Sequence, residues 1–195
     1  MKSVSVVAVA LLLLGVVGCE KEKQSKPAPV VSSSFLVNGS ATQGNHNFFS
    51  FTTGGEVPAT DSASTRWDFA MRFEAFLVNS GTSGPGNAGV QVLNQAFDAV
   101  TIAPEAGYRF DTTAIQRAIR PDDWYIYNNN TRTFAPIAGR TFVFRTATNK
   151  FGKLEILSAD PADNNGNLVT PPTRPTRIRY NIRFAFQPDG SRNFQ

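Results

Sequence analysis

The sequence is poor in the residues on which metal centres and nucleophilic active sites depend. It holds one cysteine, Cys19, and one histidine, His46, among 195 residues. Beyond Cys19 the chain has no thiol, which excludes disulfides, a thiolate nucleophile and a cysteine-based metal site there. No serine lies in a G-x-S-x-G turn, so nucleophilic catalysis is disfavoured. Carboxylate pairs stay open as acid–base groups, although the adjacent Asp122 and Asp123 suit a turn better.

Long apolar runs are also few. The N-terminal run, which ends at Val17, has about 14 residues, fewer than the roughly 20 needed to cross a bilayer. Such a run behind an early lysine is typical of a secretory signal. Its last residues, VVGC, resemble the bacterial lipobox, in which the cysteine receives lipid and becomes the new N-terminus. We therefore expect a signal peptide over residues 1–18 and lipid on Cys19, which would make the membrane a partner through the lipid anchor. An ordinary signal peptide with an accidental cysteine is the alternative.

The segment that follows has too little apolar content to fold. Residues 19–34 are charged at first and then rich in proline and serine, which predicts a flexible tether. Residues 35–195 are then predicted to form one domain, since a chain of this length can bury an ordinary core. The formal net charge is only +4, and we expect no nucleic-acid partner. The basic excess near the C-terminus suits a solvated strand face better than an anion site.

Alternating apolar and polar residues predict that the domain is all-β, built from antiparallel sheets. The alternation runs from Trp67 to Val78 and returns from Arg177 to Phe186, with the period of two that marks half-buried strands. Shorter β-rich runs lie at residues 47–51, 124–127, 141–146 and 153–157. One short helix is predicted near 111–119, with Asp111 as its cap and Pro121 as its end.

Two glycine-containing motifs resemble ligand loops but are better explained as turns. GPGNAG, from Gly84 to Gly89, fits G-x-G-x-x-G. It lacks the buried strand before it, the helix after it and the later carboxylate that a dinucleotide site requires. DNNGN, at residues 163–167, resembles a calcium loop, but its glycine comes one place early. An Asn-Gly hairpin turn is favoured there.

Several segments together resemble the HmuY family of haem-binding lipoproteins from Gram-negative bacteria. They are FSFTTG (49–54), WDFA (67–70), VNSGTSGPGNAGV (78–90) and the run WYIYNNNTRTFAPIAGRTFVFRTATNKFGKLEIL (124–157). The resemblance covers most of residues 47–186. It implies an all-β fold of antiparallel sheets, lipidation, an outer-membrane location and capture of haem for a partner transporter. It also implies that the Trp-Asp strand and the glycine loop are scaffold, and that the protein binds and does not catalyse.

The same resemblance bears on the haem site. In the family, haem is held between finger-like loops by two axial side chains, histidines or methionines. One ligand position falls on residues 128–130, which are asparagines here, and the other falls on an extension that is missing before Trp124. Asparagine is a poor iron ligand. The remaining haem-binding candidates are Tyr125 and Tyr127 for the iron and Arg132 for a propionate, with hairpin packing as the alternative role of the tyrosines.

Two other potential iron ligands are expected to lie elsewhere. His46 precedes the first matched strand and is predicted to be a surface or edge residue away from the fingers. Met71 has the inward phase of its strand, which suits core packing. Two functions therefore stay open: haem capture with altered or weak axial ligation, and a non-haem binding or protein-interaction role on the same scaffold.

Overall fold

The computed structural model describes residues 26–40, 42, 44–131, 133–170 and 172–195. The predicted signal peptide, Cys19 and Arg132 lie outside the described residues. Within that part of the chain the strands, in order, are β1 (Val30–Asn38), β2 (Asn47–Ser50), β3 (Gly55–Val57), β4 (Phe69–Arg72), β5 (Ala75–Val78), β6 (Gly89–Leu93), β7 (Tyr125–Asn128), β8 (Thr133–Pro136), β9 (Thr141–Arg145), β10 (Phe151–Ala162) and β11 (Arg177–Gln187). One short α-helix, α1 (Pro121–Trp124), precedes β7.

The strands form two larger sheets and a separate hairpin. The five-stranded sheet has the order β1-β11-β10-β9-β6, and the four-stranded sheet has the order β3-β2-β4-β5. Strands β7 and β8 pair only with each other among the described residues. The strand pairings are antiparallel. The all-β, antiparallel fold predicted from the alternation is therefore confirmed.

The main core lies between the two larger sheets. Phe69 of the four-stranded sheet packs on Phe144 of the five-stranded one, with ring centroids 5.4 Å apart. Phe49 and Phe184 meet edge to face across the same space at 6.3 Å. Alternate side chains of β11 supply much of the wall, as predicted: Ile178, Tyr180, Ile182 and Phe184 are all buried. Aromatic pairs of this kind stabilise a core beyond the area that they bury.

The alternating segment from Trp67 to Val78 is two strands and not the single strand that we predicted. Strands β4 and β5 pair with each other, and the chain reverses at Phe73 and Glu74. Phe73 has a φ of 50°, which is unusual for a residue with a bulky side chain. Its backbone is held on both sides, since its N–H donates to Asn38 O and its carbonyl accepts from the buried Tyr180 hydroxyl. The positions that face the main core also change, from Phe69 and Met71 in β4 to Phe76 and Val78 in β5.

The first strand lies partly in the segment that the sequence assigns to the tether. Residues 30–34 pair with β11, from Val30 opposite Ala185 to Ser34 opposite Asn181. Ala28 is buried, and the Gln187 side chain donates to the carbonyl of Lys26. The tether prediction is therefore wrong for residues 30–34, because a strand of serines and valines can be stabilised by an existing β neighbour without much apolar burial.

The helix predicted near 111–119 is absent, and this segment forms bends instead. Asp111 does not cap a first turn. Its carboxylate accepts a hydrogen bond from the N–H of Ala118, seven residues later, which closes a loop and leaves no helical turn. The α-helix begins after Arg120, where Pro121 supplies a fixed φ and the Asp123 carboxylate accepts from the Arg120 N–H.

The glycine run forms a packed turn, in agreement with its interpretation as scaffold. It leads into strand β6 and not into a helix. The buried Asn79 side chain accepts from Gly86 N–H and donates to the carbonyls of Ser64 and Trp67. A Cβ on Gly84 would lie 2.6 Å from the Trp67 ring and 2.2 Å from Asn79 Oδ1. The glycines are therefore required by close packing and not by a phosphate.

The outer face of the five-stranded sheet is covered by the loop after β6 and by the C-terminus. This second core holds Phe97, Val100, Val143 and Phe194. Lys153 points into it, and its ammonium donates to the carbonyls of Phe97 and Val100 at 2.7 and 2.8 Å. A buried lysine is tolerated here because its ammonium is hydrogen-bonded to both carbonyls. The Phe97 ring, with its centroid 4.2 Å away, adds a cation–π interaction.

Candidate functional site

The hairpin β7–β8 stands on a buried aromatic base. Trp124, at its start, is buried and donates its indole N–H to the carbonyl of Glu74 at 3.2 Å. The Trp124 ring lies 4.6 Å from Tyr125 and 5.8 Å from Phe134, centroid to centroid. Phe134 in turn meets Phe73 edge to face. The base of the hairpin is thereby fixed to the turn between β4 and β5.

The far part of the hairpin exposes apolar side chains to solvent. Ile126 is 66% exposed and Tyr127 is 49% exposed. Tyr127 pairs across the strands with Phe134, and Ile126 pairs with Ala135. Because neighbouring residues of a strand point to opposite faces, apolar groups lie on both faces of this ribbon. The hairpin therefore presents apolar surface that the described part of the chain leaves uncovered.

The asparagines at the hairpin tip serve the turn. The Asn128 side-chain oxygen accepts hydrogen bonds from the N–H groups of Asn130 and Thr131, at 2.9 and 3.2 Å. This is the Asx-turn arrangement for which asparagine is selected. This turn explains why an asparagine occupies position 128 without any role in binding iron.

The structure brings Tyr125 and Tyr127 to the same hairpin, but it makes Tyr125 a packing residue. Tyr125 lies between Trp124 and Phe134. Burial, together with the negative charge of Glu74 and the neighbouring Tyr127 hydroxyl, raises the pKa of Tyr125. A phenolate is therefore disfavoured there. Tyr127 is the more accessible of the two.

His46 lies in a cleft and not on an isolated surface edge. The cleft has a volume of about 310 Å³ and is walled by the β4–β5 hairpin on one side and residues 114–121 on the other. Asp111 holds that second wall in place, since its carboxylate also accepts from the N–H of Val78 at 3.0 Å. The prediction of a surface or edge position is thus met only in part: His46 lies outside the β7–β8 hairpin, but it is half-buried because the bent segment folds back over β5.

The electrostatic environment of His46 is positive. Burial, with repulsion from Arg72 and Arg117, lowers the pKa of His46 to about 4, against a smaller opposing effect of Asp111. The imidazole is accordingly neutral at pH 7. It keeps one nitrogen as a donor and one as an acceptor.

The cleft and the hairpin adjoin each other at Glu74. Glu74 lines the cleft, its carbonyl accepts from Trp124, and its charge acts on Tyr125. No local sequence pattern predicts this arrangement, because its parts come from residues 46, 72–77 and 114–125, which only the fold brings together.

The arginines of β11 are largely engaged within the protein. The Arg183 guanidinium lies 2.5 Å from Glu155 and 3.1 Å from Asp98. Arg177 donates to the carbonyl of Leu36 at 3.1 Å, and Arg179 donates to that of Gly166. These contacts favour a structural, partly solvated strand face over an anion site, as predicted.

Two kinds of feature are absent from the described residues: a cluster of potential metal ligands and a helix that could span a membrane. Its residues include no cluster of three or more histidine, cysteine, aspartate or glutamate side chains suited to a metal ion. At the DNNGN turn, the Asp163 carboxylate accepts from the N–H groups of Asn165 and Asn167. None of the described helices has the length and apolar character needed to cross a bilayer.

Comparisons with known proteins give matches among solved structures. No family model matches the chain, and no curated protein does. One similar structure is that of a proposed HmuY-like haem-binding protein from Bacteroides vulgatus, at 13% identity and a TM-score of 0.46, covering 80% of this chain and 92% of that one. Another is a proposed lipoprotein from Bacteroides fragilis, at 11% identity and a TM-score of 0.42, covering 77% and 88%. Both matches extend over more than three quarters of this chain, at identities of 13% and 11%.

Proposed function

We propose that the protein is a lipid-anchored binding protein of the outer membrane that captures haem, not an enzyme, and passes it to a membrane transporter. The observation that carries the proposal is the hairpin β7–β8, whose exposed Ile126 and Tyr127 stand on a rigid aromatic base. Contiguous exposed apolar surface marks ligand or partner sites on soluble proteins. A planar apolar ligand such as porphyrin would cover the face that carries Tyr127.

The expected mode is stacking with weak axial ligation. The asparagines of the tip are poor iron ligands, and the raised pKa of Tyr125 disfavours a phenolate. Contact of the porphyrin with the Tyr127 face of the hairpin supplies a few kcal/mol. Binding of that strength corresponds to a dissociation constant that is micromolar or weaker. Arg132, whose structure is not described, is proposed to pair with a propionate.

A haemin titration followed by visible spectroscopy tests this function. We expect saturable binding with a micromolar or weaker dissociation constant and no low-spin bis-histidine spectrum. Tyr127→Ala should weaken binding roughly tenfold, since it removes a stacking ring, whereas Tyr125→Phe should change it little. His46→Ala is the matched control outside the hairpin and should bind as wild type does.

Other spectra would redirect the assignment. A six-coordinate spectrum that disappears in His46→Ala would move the haem to the His46 cleft, and a high-spin spectrum lost in Tyr127→Phe would establish phenolate ligation. No saturable change would contradict haem capture. It would favour a non-haem binding role, a candidate supported by the weak iron ligands of the hairpin.

Lipid attachment is tested separately at Cys19. The VVGC motif after a short apolar run supports acylation of that thiol. Wild-type protein is expected to incorporate labelled palmitate in cells and to fractionate with membranes. Cys19→Ala should lose the label and stay unprocessed or be released. Unlabelled wild-type protein would contradict the anchor and leave the haem proposal standing on its own.

A further inference from the structure

The cleft beside His46 has the features of a ligand site separate from the hairpin surface. Its volume of about 310 Å³ is at the lower end of the range for small-molecule pockets. Arg72 and Arg117 are close enough to act electrostatically on the imidazole. We propose that this cleft binds a small organic anion, a carboxylate or phosphate group carried on a short apolar body, through Arg72 and His46.

Arg72 is the residue available to such a ligand. Within the described part of the chain, Arg72 makes neither a salt bridge nor a side-chain hydrogen bond. Arg117, by contrast, is engaged by Asp111 at 3.4 Å and by the Ser83 hydroxyl. A guanidinium without a partner presents its paired donors in the geometry that carboxylate and phosphate match.

The remaining charges around the cleft are arranged asymmetrically. Arg120 lies at the rim and shares Asp123 with Arg109. Glu74 lines the cleft, and its charge acts on the tyrosines of the Trp124 side, Tyr125 and Tyr180. The positive region is therefore the His46 end, where Arg72 and Arg117 outweigh the buried Asp111. An anionic group is expected at that end and the rest of the ligand towards Glu74.

Apolar side chains make up much of the remaining wall. Phe76 and Ile119 are buried behind the cleft, and Ile115 is 91% exposed beside it. Covering an isoleucine that is otherwise in water stabilises a complex with an apolar ligand. An anion with a ring or short chain should consequently bind more tightly than the same anion without one.

Binding is expected to be linked to protonation of His46. An anion next to the imidazole would offset the repulsion by Arg72 and Arg117, so the pKa of His46 would rise from about 4 when the cleft is filled. The complex then holds more protons than the free protein at pH values just above 4. Affinity should increase as pH falls through the bound-state pKa and should reach a lower plateau above it.

The single histidine makes the test direct. Since the chain contains no other histidine, one imidazole resonance in the proton NMR spectrum of the folded domain reports the cleft. Benzoate and phenyl phosphate are the probes, acetate is the anion without an apolar body, and benzamidinium is the cation of similar shape. We expect benzoate or phenyl phosphate to shift the resonance saturably and to raise the pKa of His46, with acetate weaker and benzamidinium without effect.

Variants decide between a specific site and general salt effects. Arg72→Gln should weaken binding roughly tenfold to a hundredfold, the range expected for loss of a charge-assisted hydrogen bond. Arg174→Gln removes the same charge at an exposed position outside the cleft and should leave affinity unchanged. Equal shifts with benzamidinium, equal weakening by both variants, or no saturable shift up to tens of millimolar would overturn the proposal. The readout contains no haem, so its outcome is independent of the haemin titration.

Discussion

Replacement of Asp111 by alanine is expected to lower the free energy of unfolding by about 3–5 kcal/mol. The Asp111 side chain is fully buried. Its oxygens accept hydrogen bonds from Val78 N–H at 3.0 Å, Ala118 N–H at 2.7 Å and the Ser83 hydroxyl at 2.6 Å. Removing the carboxylate would leave these buried donors without a partner, which costs more than the bonds themselves contribute.

Urea denaturation followed by circular dichroism measures the effect. Asp111→Asn should recover only part of the loss. Its amide keeps one acceptor oxygen, but its NH2 group is a donor and would face the N–H and O–H donors that the second carboxylate oxygen accepted from. The exposed Asp122 is the matched control, and Asp122→Ala should change stability by no more than about 0.5 kcal/mol. A loss below about 1 kcal/mol for Asp111→Ala would show that residues 112–120 are not fixed by this carboxylate.

The same contacts explain why this segment, which the sequence predicts to be helical, forms bends instead. An aspartate followed by apolar residues at helical spacing satisfies the local rules for a helix start. The competing partners of Asp111, Val78 and Ser83, lie about thirty residues away, and no local pattern reveals them. Buried polar residues that organise loops are the class of position where periodicity carries least information.

Periodicity was reliable where one face of a long strand is buried. The alternation from Arg177 to Phe186 predicts β11 and its inward side chains, because burial on one face imposes a period of two. The segment from Trp67 to Val78 shows the same period, yet the change of buried phase at Phe76 signals the reversal at Phe73. Without a glycine or proline at the turn, the local residues do not otherwise indicate a reversal. Strand β1 has no alternating apolar pattern to predict it, because its middle is three serines.

The two parts of the candidate site, the hairpin and the cleft, also differ in how far the local sequence predicts them. The position of the aromatic hairpin followed from local residues, since Trp124, Tyr125 and Tyr127 form a recognisable β-rich run next to a turn. The cleft did not, because His46 and residues 114–121 meet only through the packing of one segment over another. A lone histidine carries no spacing from which its environment can be inferred, whereas Arg72 and Arg117 become informative only when both are seen beside it.

Loss of the Trp67 side chain is the other change with a large expected effect. Trp67 is fully buried in a small core on the outer face of the four-stranded sheet, with Phe48 edge to face at 4.9 Å. Its indole N–H donates to the carbonyl of Ser62 at 3.0 Å, and Gly84 approaches the ring so closely that a Cβ would lie 2.6 Å from it. The ring therefore holds the loop before β4 and the glycine turn together.

Trp67→Ala is expected to cost about 3–5 kcal/mol of unfolding free energy, the range for truncating a buried large aromatic side chain. Trp67→Phe should cost less, because it keeps most of the apolar contact and loses the bond to Ser62. Unfolding of both variants can be followed by the fluorescence of the other tryptophan, Trp124. The control is Leu168→Ala, at a residue that is 60% exposed, and it should change the free energy of unfolding by no more than about 0.5 kcal/mol. If Trp67→Ala and Leu168→Ala proved equally mild, the glycine turn would be held by Asn79 alone. A large loss confined to Trp67→Ala would instead establish that the Trp-Asp strand and its glycine turn are scaffold, which leaves ligand binding to the hairpin and the cleft.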